Sequence, residues 1–233
     1  MGHRERNWDG WTVIVTGAGT GLGRAVATDI AAAGANVILC GRRADKVEAA
    51  AADIREAGGT ALAVQADVSR EEDVRRLVAA ALETFGRIDA LINNAAVFEP
   101  GQVIGTPLAQ WNEQIAVNLT GAFLATREVL PVMRRQQRGR IVNITSALAA
   151  GGAGSSAAYS ASKAGLESLT RTTAEEEGYH HILVNLYDPG MIKTEMRATG
   201  KDPARVSSEI AALAAPDVRF SSRLVGAGWL LGD

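Results

Sequence analysis

The chain has 233 residues, of which 47% are hydrophobic and 25 are glycine, and its 24 basic side chains nearly balance 26 acidic ones. This length is usual for one α/β domain, so we expect a single domain over residues 1–233. The apolar content excludes disorder over most of the chain. The near-neutral charge provides no overall basic field for a phosphate backbone, so we expect no nucleic-acid partner.

Cysteine usage and the N-terminal segment bear on location. The one cysteine, Cys40, lies within an apolar run, which excludes a disulfide framework and a cysteine-based zinc site and favours a reducing compartment. Residues 1–11 are too polar for a signal peptide, and no stretch approaches about 18 uninterrupted apolar residues. We therefore expect a cytoplasmic protein with no membrane partner.

Short apolar runs alternate with alanine-rich amphipathic stretches, a pattern typical of a parallel sheet with crossover helices. The predicted strands are 12–16, 35–40, 60–65, 88–93, 140–145, 181–187 and, as a seventh that the pattern leaves open, 223–229. Helices are predicted over 22–33, 44–57, 70–85, 107–137 and 156–177. Ser69 and Glu72 have the spacing of a capping box at the start of the third helix. The expected fold is a doubly wound α/β sheet, which binds ligands beyond the carboxyl ends of its strands.

A glycine-rich turn follows the first predicted strand and leads directly into a helical pattern. Glycine allows a tight turn and lets backbone N–H groups approach a pyrophosphate, whose charge the helix N-terminus favours. With a strand before it, a helix after it and a second strand about twenty residues on, the turn predicts dinucleotide binding. The residues expected to bind are Gly17, Gly19, Thr20, Gly21, Leu22 and Gly23.

In dinucleotide-binding folds, the residue at the end of the second strand contacts the adenine ribose. It is acidic where the ribose has a free 2′-hydroxyl and basic where the ribose carries a 2′-phosphate. Here Gly41 occupies the acid's usual place and Arg42 and Arg43 follow it. Two guanidinium groups favour a bidentate grip on phosphate, and thus NADP(H) over NAD(H). The alternative is that both arginines are solvated and that Asp45 contacts the ribose, although Asp45 could equally cap the next helix.

A tyrosine, a lysine and a serine form a candidate catalytic group. Tyr159 and Lys163 are four residues apart in a helical pattern, so their side chains share one face. An adjacent ammonium group stabilises phenolate, so we expect Lys163 to lower the pKa of Tyr159 and make it a general acid/base. Ser146 follows a predicted strand at the ligand-binding edge and could hydrogen-bond the reacting oxygen.

With these motifs in order, the chain resembles the short-chain dehydrogenase/reductase family in its single-domain form. The matching segments cover residues 12 to about 196. They are Thr16, Gly17, Gly21 and Gly23; Asp67 and Val68; Asn93, Asn94 and Ala95; Val117 and Asn118; Ser146; Tyr159 and Lys163; and Pro189, Gly190 and Thr194. The resemblance implies a Rossmann-type doubly wound parallel sheet of six or seven strands with helices on both faces.

The resemblance also implies residue roles. Ser146, Tyr159 and Lys163 would be catalytic, with Asn118 completing a tetrad through a water that reaches Lys163. Lys163 would also hold the nicotinamide ribose, and Tyr159 would lie against the cofactor. The further cofactor-binding residues would be Asp67, Val68, Asn94, Ala95, Pro189, Gly190, Ile192 and Thr194. The implied activity is reversible hydride transfer between a nicotinamide and a small carbonyl or alcohol substrate, without a metal.

Three departures and one alternative accompany this resemblance. Ala96 replaces a usual glycine, and residues 197–233 are an abbreviated or atypical C-terminal segment. Asp188 precedes the Pro-Gly pair; it could perturb the charge preference for substrates, but we expect it to face solvent. The alternative function is a non-catalytic dinucleotide-binding regulatory subunit of the same fold.

The resemblance also bears on the substrate and on assembly. The residues that would border the substrate are Val97, Phe98, Leu148 and Met191. Family precedent implies a homodimer or homotetramer built through 107–137 and 156–177.

Overall fold

The computed structural model describes residues 8–192 and 199–228. Its centre is a seven-stranded sheet in the order β3-β2-β1-β4-β5-β6-β7, and every strand pair is parallel. The strands are β1 (Thr12–Thr16), β2 (Asn36–Gly41), β3 (Thr60–Gln65), β4 (Ala90–Asn93), β5 (Gly139–Ile144), β6 (Ile182–Asp188) and β7 (Leu224–Gly226). The predicted doubly wound parallel sheet is confirmed, with the seventh strand present.

Helices cover both faces of the sheet. They are α1 (Gly21–Ala32), α2 (Ala44–Glu56), α3 (Glu71–Phe85), α4 (Leu108–Ile115), α5 (Gly121–Gln136), α6 (Leu148–Gly151), α7 (Ala157–Glu177) and α8 (Ala204–Ala214), with short 3₁₀ turns at Val103–Gly105 and Gly178–His180. Helices α1, α2 and α8 pack on one face, and α3, α5 and α7 on the other.

The central strands are apolar without interruption because alternate side chains enter two different cores. In β1, Val13 and Val15 pack with α1 and α2 whereas Ile14 packs with α3, and all three side chains are fully buried. Because both faces are buried, the strands of a parallel sheet can be predicted from continuous apolar runs in the sequence. The chain leaves β1 in one direction through β2 and β3 and then crosses to β4, so the strand order reverses between β1 and β4.

The helix predicted over 107–137 is interrupted. A π turn at Ala116–Thr120 separates α4 from α5, with the N–H of Gly121 bonded to the Ala116 carbonyl. The continuous stretch Leu108–Gln136 is long and apolar enough on length and composition to span a membrane, but half of its most apolar part is buried within the molecule. Because α5 packs on the sheet and on α3, this burial is that of a core helix. A π turn inside a helix often accompanies a functional site.

The capping box predicted at Ser69 and Glu72 is wrong. Helix α3 begins at Glu71, and its N-cap Arg70 makes no side-chain cap hydrogen bond. Ser69 instead donates from its backbone N–H and its hydroxyl to Oδ1 of Asp67, at 3.0 and 2.7 Å. An aspartate that accepts from the residue two positions on competes with a helix cap for the same donors, which sequence spacing does not reveal.

The C-terminal part of the chain is tied to the rest by two polar contacts from α8. Ser207 Oγ donates to Asp29 of α1 at 2.6 Å, and the phenol of Tyr187 in β6 donates to Glu209 at 2.9 Å. Strand β7 is shorter than the predicted 223–229 and pairs only with the end of β6, from Leu186 to Asp188. Helix α8 and strand β7 therefore both form in this segment, with α8 anchored on the same face as α1.

Candidate active site

The carboxyl ends of β1 to β6 open into one cavity of about 1090 Å³. The loops after these strands supply its walls, as expected for a doubly wound sheet. Of the predicted site residues, Gly23 and Asn118 do not line the cavity, and Thr194 lies outside the described residues. The others all line it: Gly17, Gly19, Thr20, Gly21, Leu22, Arg42, Arg43, Asp67, Val68, Asn94, Ala95, Ser146, Tyr159, Lys163, Pro189, Gly190 and Ile192.

The glycine turn at the head of α1 has a geometry that larger residues would disturb. Gly17 and Gly21 have φ of +66° and +56°, in the left-handed region that favours glycine. A Cβ on Gly23 would clash with the carbonyl oxygen of Gly17 and lie 2.5 Å from Nδ2 of Asn94. Gly23 therefore acts by allowing α1 to approach the turn closely, which explains why it is absent from the cavity wall.

Asn94 and Ala95 hold the turn from the neighbouring strand. Nδ2 of Asn94 donates to the carbonyl oxygens of Thr16 and Gly17 at 2.9 and 3.2 Å. The Thr16 hydroxyl accepts from the backbone N–H groups of Asn94 and Ala95 at 3.0 and 3.1 Å. Both residues were predicted as cofactor contacts, and their hydrogen bonds within the protein show that they hold the glycine turn in place.

These features fit a dinucleotide. The N-terminus of α1 opens on the cavity beside backbone that no Cβ obstructs, which is the arrangement that binds pyrophosphate. The cavity runs from the end of β2 to the end of β6. That is four strand spacings, or about 19 Å, and matches an extended two-nucleotide ligand.

The end of the cavity near β2 is cationic. Arg42, Arg43 and Lys46 line it, whereas Asp45 does not. Nη1 of Arg42 lies 3.6 Å from Oε1 of Glu113 in α4, and Nη2 of Arg43 lies 3.4 Å from the Thr20 hydroxyl. Asp45 sits in the first turn of α2, where a negative charge suits the helix dipole. The position of Asp45 thus favours its helical interpretation over a ribose contact.

Sequence reasoning missed Lys46. A lysine in the first turn of a helix resembles an ordinary solvated charge, but this one packs beside the glycine turn, since a Cβ on Gly19 would lie 3.0 Å from the Lys46 Cβ. Its spacing of four from Arg42 and three from Arg43 was the available signal. It adds a third cation at the same end of the cavity.

Helix α7 brings Tyr159 and Lys163 together. Nζ of Lys163 lies 5.7 Å from the centre of the Tyr159 ring and donates to the carbonyl oxygen of Ile144 at 2.7 Å. The Ser146 side chain, just after the end of β5, acts on the Tyr159 phenol and opposes the rise of its pKa. Phe98 packs edge-on against the Tyr159 ring with the centroids 5.1 Å apart. The structure thus brings the three side chains together as predicted.

The expected direction of the Tyr159 pKa is wrong for this structure. Burial raises the pKa of the Tyr159 phenol, the hydrogen bond with Ser146 opposes the increase, and the charge of Asp188 adds to it. Burial also lowers the pKa of Lys163 to about 8. Burial is the largest cause of both shifts, because each charged form has lost its water.

Asn118 lies on the π turn and is buried. Its Nδ2 donates to the Val97 carbonyl at 2.9 Å and to Ser162 Oγ at 3.1 Å, and its Oδ1 accepts from the Val97 N–H at 2.8 Å. Its side chain therefore fixes the loop after β4 to α7, and its hydrogen bonds within the described residues do not include Lys163. Ser162, which sequence reasoning did not single out, donates in turn to the Tyr159 carbonyl at 2.7 Å.

The prediction that Asp188 faces bulk solvent is wrong. Its side chain is half-buried and lines the cavity. Oδ1 accepts from the Gly190 N–H at 2.8 Å, because the sharp turn through Pro189 points that N–H back at the strand end. The apolar residues expected near a substrate, Val97, Phe98, Leu148 and Met191, line the same cavity.

Comparison with known proteins agrees with this geometry. The family model described as short chain dehydrogenase matches residues 11–204. The chain belongs to the short-chain dehydrogenase/reductase family. Its Rossmann-type sheet and its activity class follow: this short-chain dehydrogenase/reductase is an NAD(P)-dependent oxidoreductase acting on carbonyl or alcohol groups.

Individual relatives include two named reductases. A 3-oxoacyl-[acyl-carrier-protein] reductase of Synechocystis sp. is 40% identical over 184 residues, covering 78% of this chain and 74% of the relative. A levodione reductase of Leifsonia aquatica is 38% identical over 187 residues, covering 79% and 70%. The crystal structure of a levodione reductase superposes with a TM-score of 0.90 at 29% identity, covering 97% of this chain and 100% of that one.

Proposed function

We propose that this protein is an NADP(H)-dependent oxidoreductase that interconverts a small ketone or aldehyde and its alcohol, with Tyr159 as the general acid/base. The observation that carries the proposal is one continuous cavity with Arg42 and Lys46 at one end and Ser146, Tyr159 and Lys163 at the other. NAD(H) is the alternative cofactor.

The preference for NADP(H) is supported by charge. Gly41 leaves the end of β2 without the acid that would accept from a free ribose hydroxyl. Three cations surround that position, and two of them are arginines, whose planar fork suits phosphate. Arg42 forms an exposed ion pair with Glu113. Because exposed ion pairs are weak, a 2′-phosphate would displace Glu113 from Arg42.

When bound, the nicotinamide supplies or accepts the hydride. In the reducing direction Tyr159 donates its phenolic proton to the carbonyl oxygen, while Ser146 hydrogen-bonds the same oxygen and holds it near the phenol. Burial keeps the phenol protonated in the resting state, which suits proton donation. As phenolate forms, Lys163 in its ammonium form stabilises it electrostatically.

We assign the remaining predicted residues to positioning and cofactor contact. Asp67 and Val68 would contact adenine at the end of β3, and the segment after β6, with Pro189, Gly190, Ile192 and Thr194, would close over the nicotinamide. Asn118 would complete a catalytic tetrad with Lys163 through a water. Its contacts to Val97 and Ser162 support a positioning contribution as well.

The substrate is proposed to be a small carbonyl compound or alcohol bordered by apolar side chains. Val97, Phe98, Leu148 and Met191 supply that border. Two relatives are named as reductases of a 3-oxoacyl-[acyl-carrier-protein] and of levodione, and both names support reduction of a ketone.

Assembly, organisation and location complete the proposal. Residues 1–233 are proposed to form one dinucleotide-binding catalytic domain located in the cytoplasm. A homodimer or homotetramer is supported by exposed apolar side chains on the long helices, among them Leu108, Trp111 and Phe123.

The test follows the absorbance of NADPH and NADH separately across ketones, aldehydes, acyl thioesters, sugars and quinones. We expect turnover of at least one class with a higher kcat/KM for NADPH. Binding of either nucleotide without turnover of any class would instead favour the alternative, a non-catalytic dinucleotide-binding subunit. If the protein binds neither NADPH nor NADH, both the proposed function and its alternative are rejected.

A further inference from the structure

A carboxylate stands at the reacting end of the cavity. Asp188 is the last residue of β6 and lines the cavity together with Ser146, Tyr159 and Met191. Its Oδ1 is held by the Gly190 N–H at 2.8 Å. Within the described residues, Oδ2 has no hydrogen-bond or ion-pair partner, so half of this carboxylate is available to a ligand.

Most other charged side chains on the described part of the cavity wall lie far from Asp188. Arg42, Arg43 and Lys46 follow β2 or begin α2, four strand spacings, or about 19 Å, from the end of β6. Asp67 is the other acid among the described residues of the cavity wall and follows β3, one strand farther away. The remaining cation among the described residues of the cavity wall is Lys163, whose Nζ donates to the Ile144 carbonyl.

The Asp188 charge also reaches the reacting groups. Strands β5 and β6 are neighbours, with Ile144 opposite Tyr187, so Asp188 lies about one strand spacing from the strand end that leads to Ser146. Its charge is also among the causes that raise the pKa of the Tyr159 phenol. A substrate oxygen held between Ser146 and Tyr159 would therefore place its neighbouring carbon substituents within the field of Asp188.

Resting on the proposed function, we infer that Asp188 selects substrates that carry a positive charge close to the reacting carbon, such as amino ketones or amino alcohols, and disfavours anionic ones. A cation beside Oδ2 gains an ion pair in a partly desolvated cavity, where charge interactions exceed those in water. A carboxylate at the same place is repelled, and like charges in a binding site are an effective means of rejecting a ligand.

The experiment compares three methyl ketones that differ in charge, of which the cationic and neutral ones have the same shape. They are acetonyltrimethylammonium, its neutral isostere 4,4-dimethylpentan-2-one, and acetoacetate. For the wild type and for Asp188→Asn, kcat/KM is measured with NADPH, and binding of the same ketones to the NADPH complex is measured by calorimetry. Asparagine keeps an oxygen for the Gly190 N–H and removes the charge.

The matched control is Asp202→Asn. Asp202 accepts from the N–H of Ala204, two residues on, at 3.0 Å, the same local turn as at Asp188, but it does not line the cavity. Thermal unfolding of all three proteins confirms that each is folded before the ketones are compared.

We expect the wild type to favour the cation over its neutral isostere by about tenfold or more, in kcat/KM and in affinity. Asp188→Asn should remove most of that ratio and improve use of acetoacetate, whereas Asp202→Asn should leave the ratio unchanged. Equal use of cation and neutral isostere by the wild type, or a ratio that survives in Asp188→Asn, would overturn the inference.

The two proposals fail in different ways. Turnover of the ketones without charge preference removes the role of Asp188 and leaves the proposed function intact. Preferential binding of the cation without turnover of any carbonyl or alcohol, with either nucleotide, removes the proposed function and leaves the charge selection. If calorimetry shows no preference for the cationic ketone, the proposed role of Asp188 in charge selection is rejected, whether or not turnover is seen.

Discussion

Asn118 on the π turn and Ser162 on α7 are joined by a hydrogen bond from Nδ2 to Oγ of 3.1 Å. Ser162 immediately precedes Lys163, and its own hydroxyl donates to the Tyr159 carbonyl. The bond therefore links the loop after β4, which Asn118 also holds, to the helical turn that carries Tyr159 and Lys163.

Replacing Asn118 by alanine tests this link. The change leaves the N–H and carbonyl of Val97 without their partner and removes one donor from the Ser162 hydroxyl, so we expect a loss of about 2 kcal/mol in the free energy of unfolding. Under conditions where the variant is still folded, we also expect its activity to fall, mainly through a lower kcat. Urea unfolding and steady-state kinetics measure both. Asn112→Ala, at an exposed position of α4, is the control and should change neither.

Tyr159→Phe removes the proposed proton donor while keeping the ring that packs on Phe98. We expect kcat to fall by about a hundredfold to ten-thousandfold, with NADPH affinity and melting temperature nearly unchanged. Tyr179→Phe removes the hydroxyl of a tyrosine that is 92% exposed and should behave as wild type. Normal turnover by Tyr159→Phe would reject Tyr159 as the acid/base.

Arg42→Ala tests the choice between cofactors. Loss of a charged hydrogen bond to a 2′-phosphate should weaken NADPH binding by about tenfold or more, while NADH binding changes little. Fluorescence titration of each nucleotide gives the two dissociation constants. Arg205→Ala, on the exposed side of α8, provides a matched loss of charge. Equal weakening of NADPH and NADH would show that Arg42 does not read the phosphate.

The buried Lys163 predicts a pH dependence of stability. Burial lowers its pKa from 10.5 to about 8, so between these values the unfolded chain binds more protons than the folded one and stability rises with pH. The unfolding free energy of the wild type, taken relative to Lys163→Met, should rise by up to about 3 kcal/mol across this window.

Urea unfolding at several pH values measures this difference. Taking it relative to Lys163→Met cancels groups common to both proteins, including Cys40, whose pKa burial raises to about 12. Lys46→Met, at an exposed position, is the control and should follow the wild type. A wild-type curve parallel to that of Lys163→Met would mean that the ammonium group is solvated or paired in the folded protein.

Strands β1 to β6 were predicted within two residues, and the central ones are the easiest to find because they are buried on both faces. Runs such as Val13–Val15 and Val37–Cys40 enter two cores at once, so nearly every position must be apolar, and the turns between them carry glycine or polar residues. The break at Ala116–Thr120 was missed because a π turn inserts one residue into a helix without a distinctive composition.

The glycine turn and the Tyr159–Lys163 pair were found because their chemistry depends on local spacing. Lys46 and Asp188 were not placed correctly, since each stands on its own element as an ordinary charge and faces the cavity only through the packing of α2 and β6. The direction of the Tyr159 pKa was also wrong, because it depends on burial by surrounding elements rather than on the neighbour four residues away.

By itself, the sequence determined the parallel sheet, the dinucleotide turn and the proposed catalytic residues. Each of these rests on periodicity or on spacing within one segment. Only the tertiary structure decided that Asn94 and Ala95 buttress the turn, that Asn118 binds Val97 and Ser162, and that Asp188 enters the cavity. The physical reason is that hydrogen-bond partners, desolvation and fields are set by groups distant in the chain, which meet only where the strands end side by side.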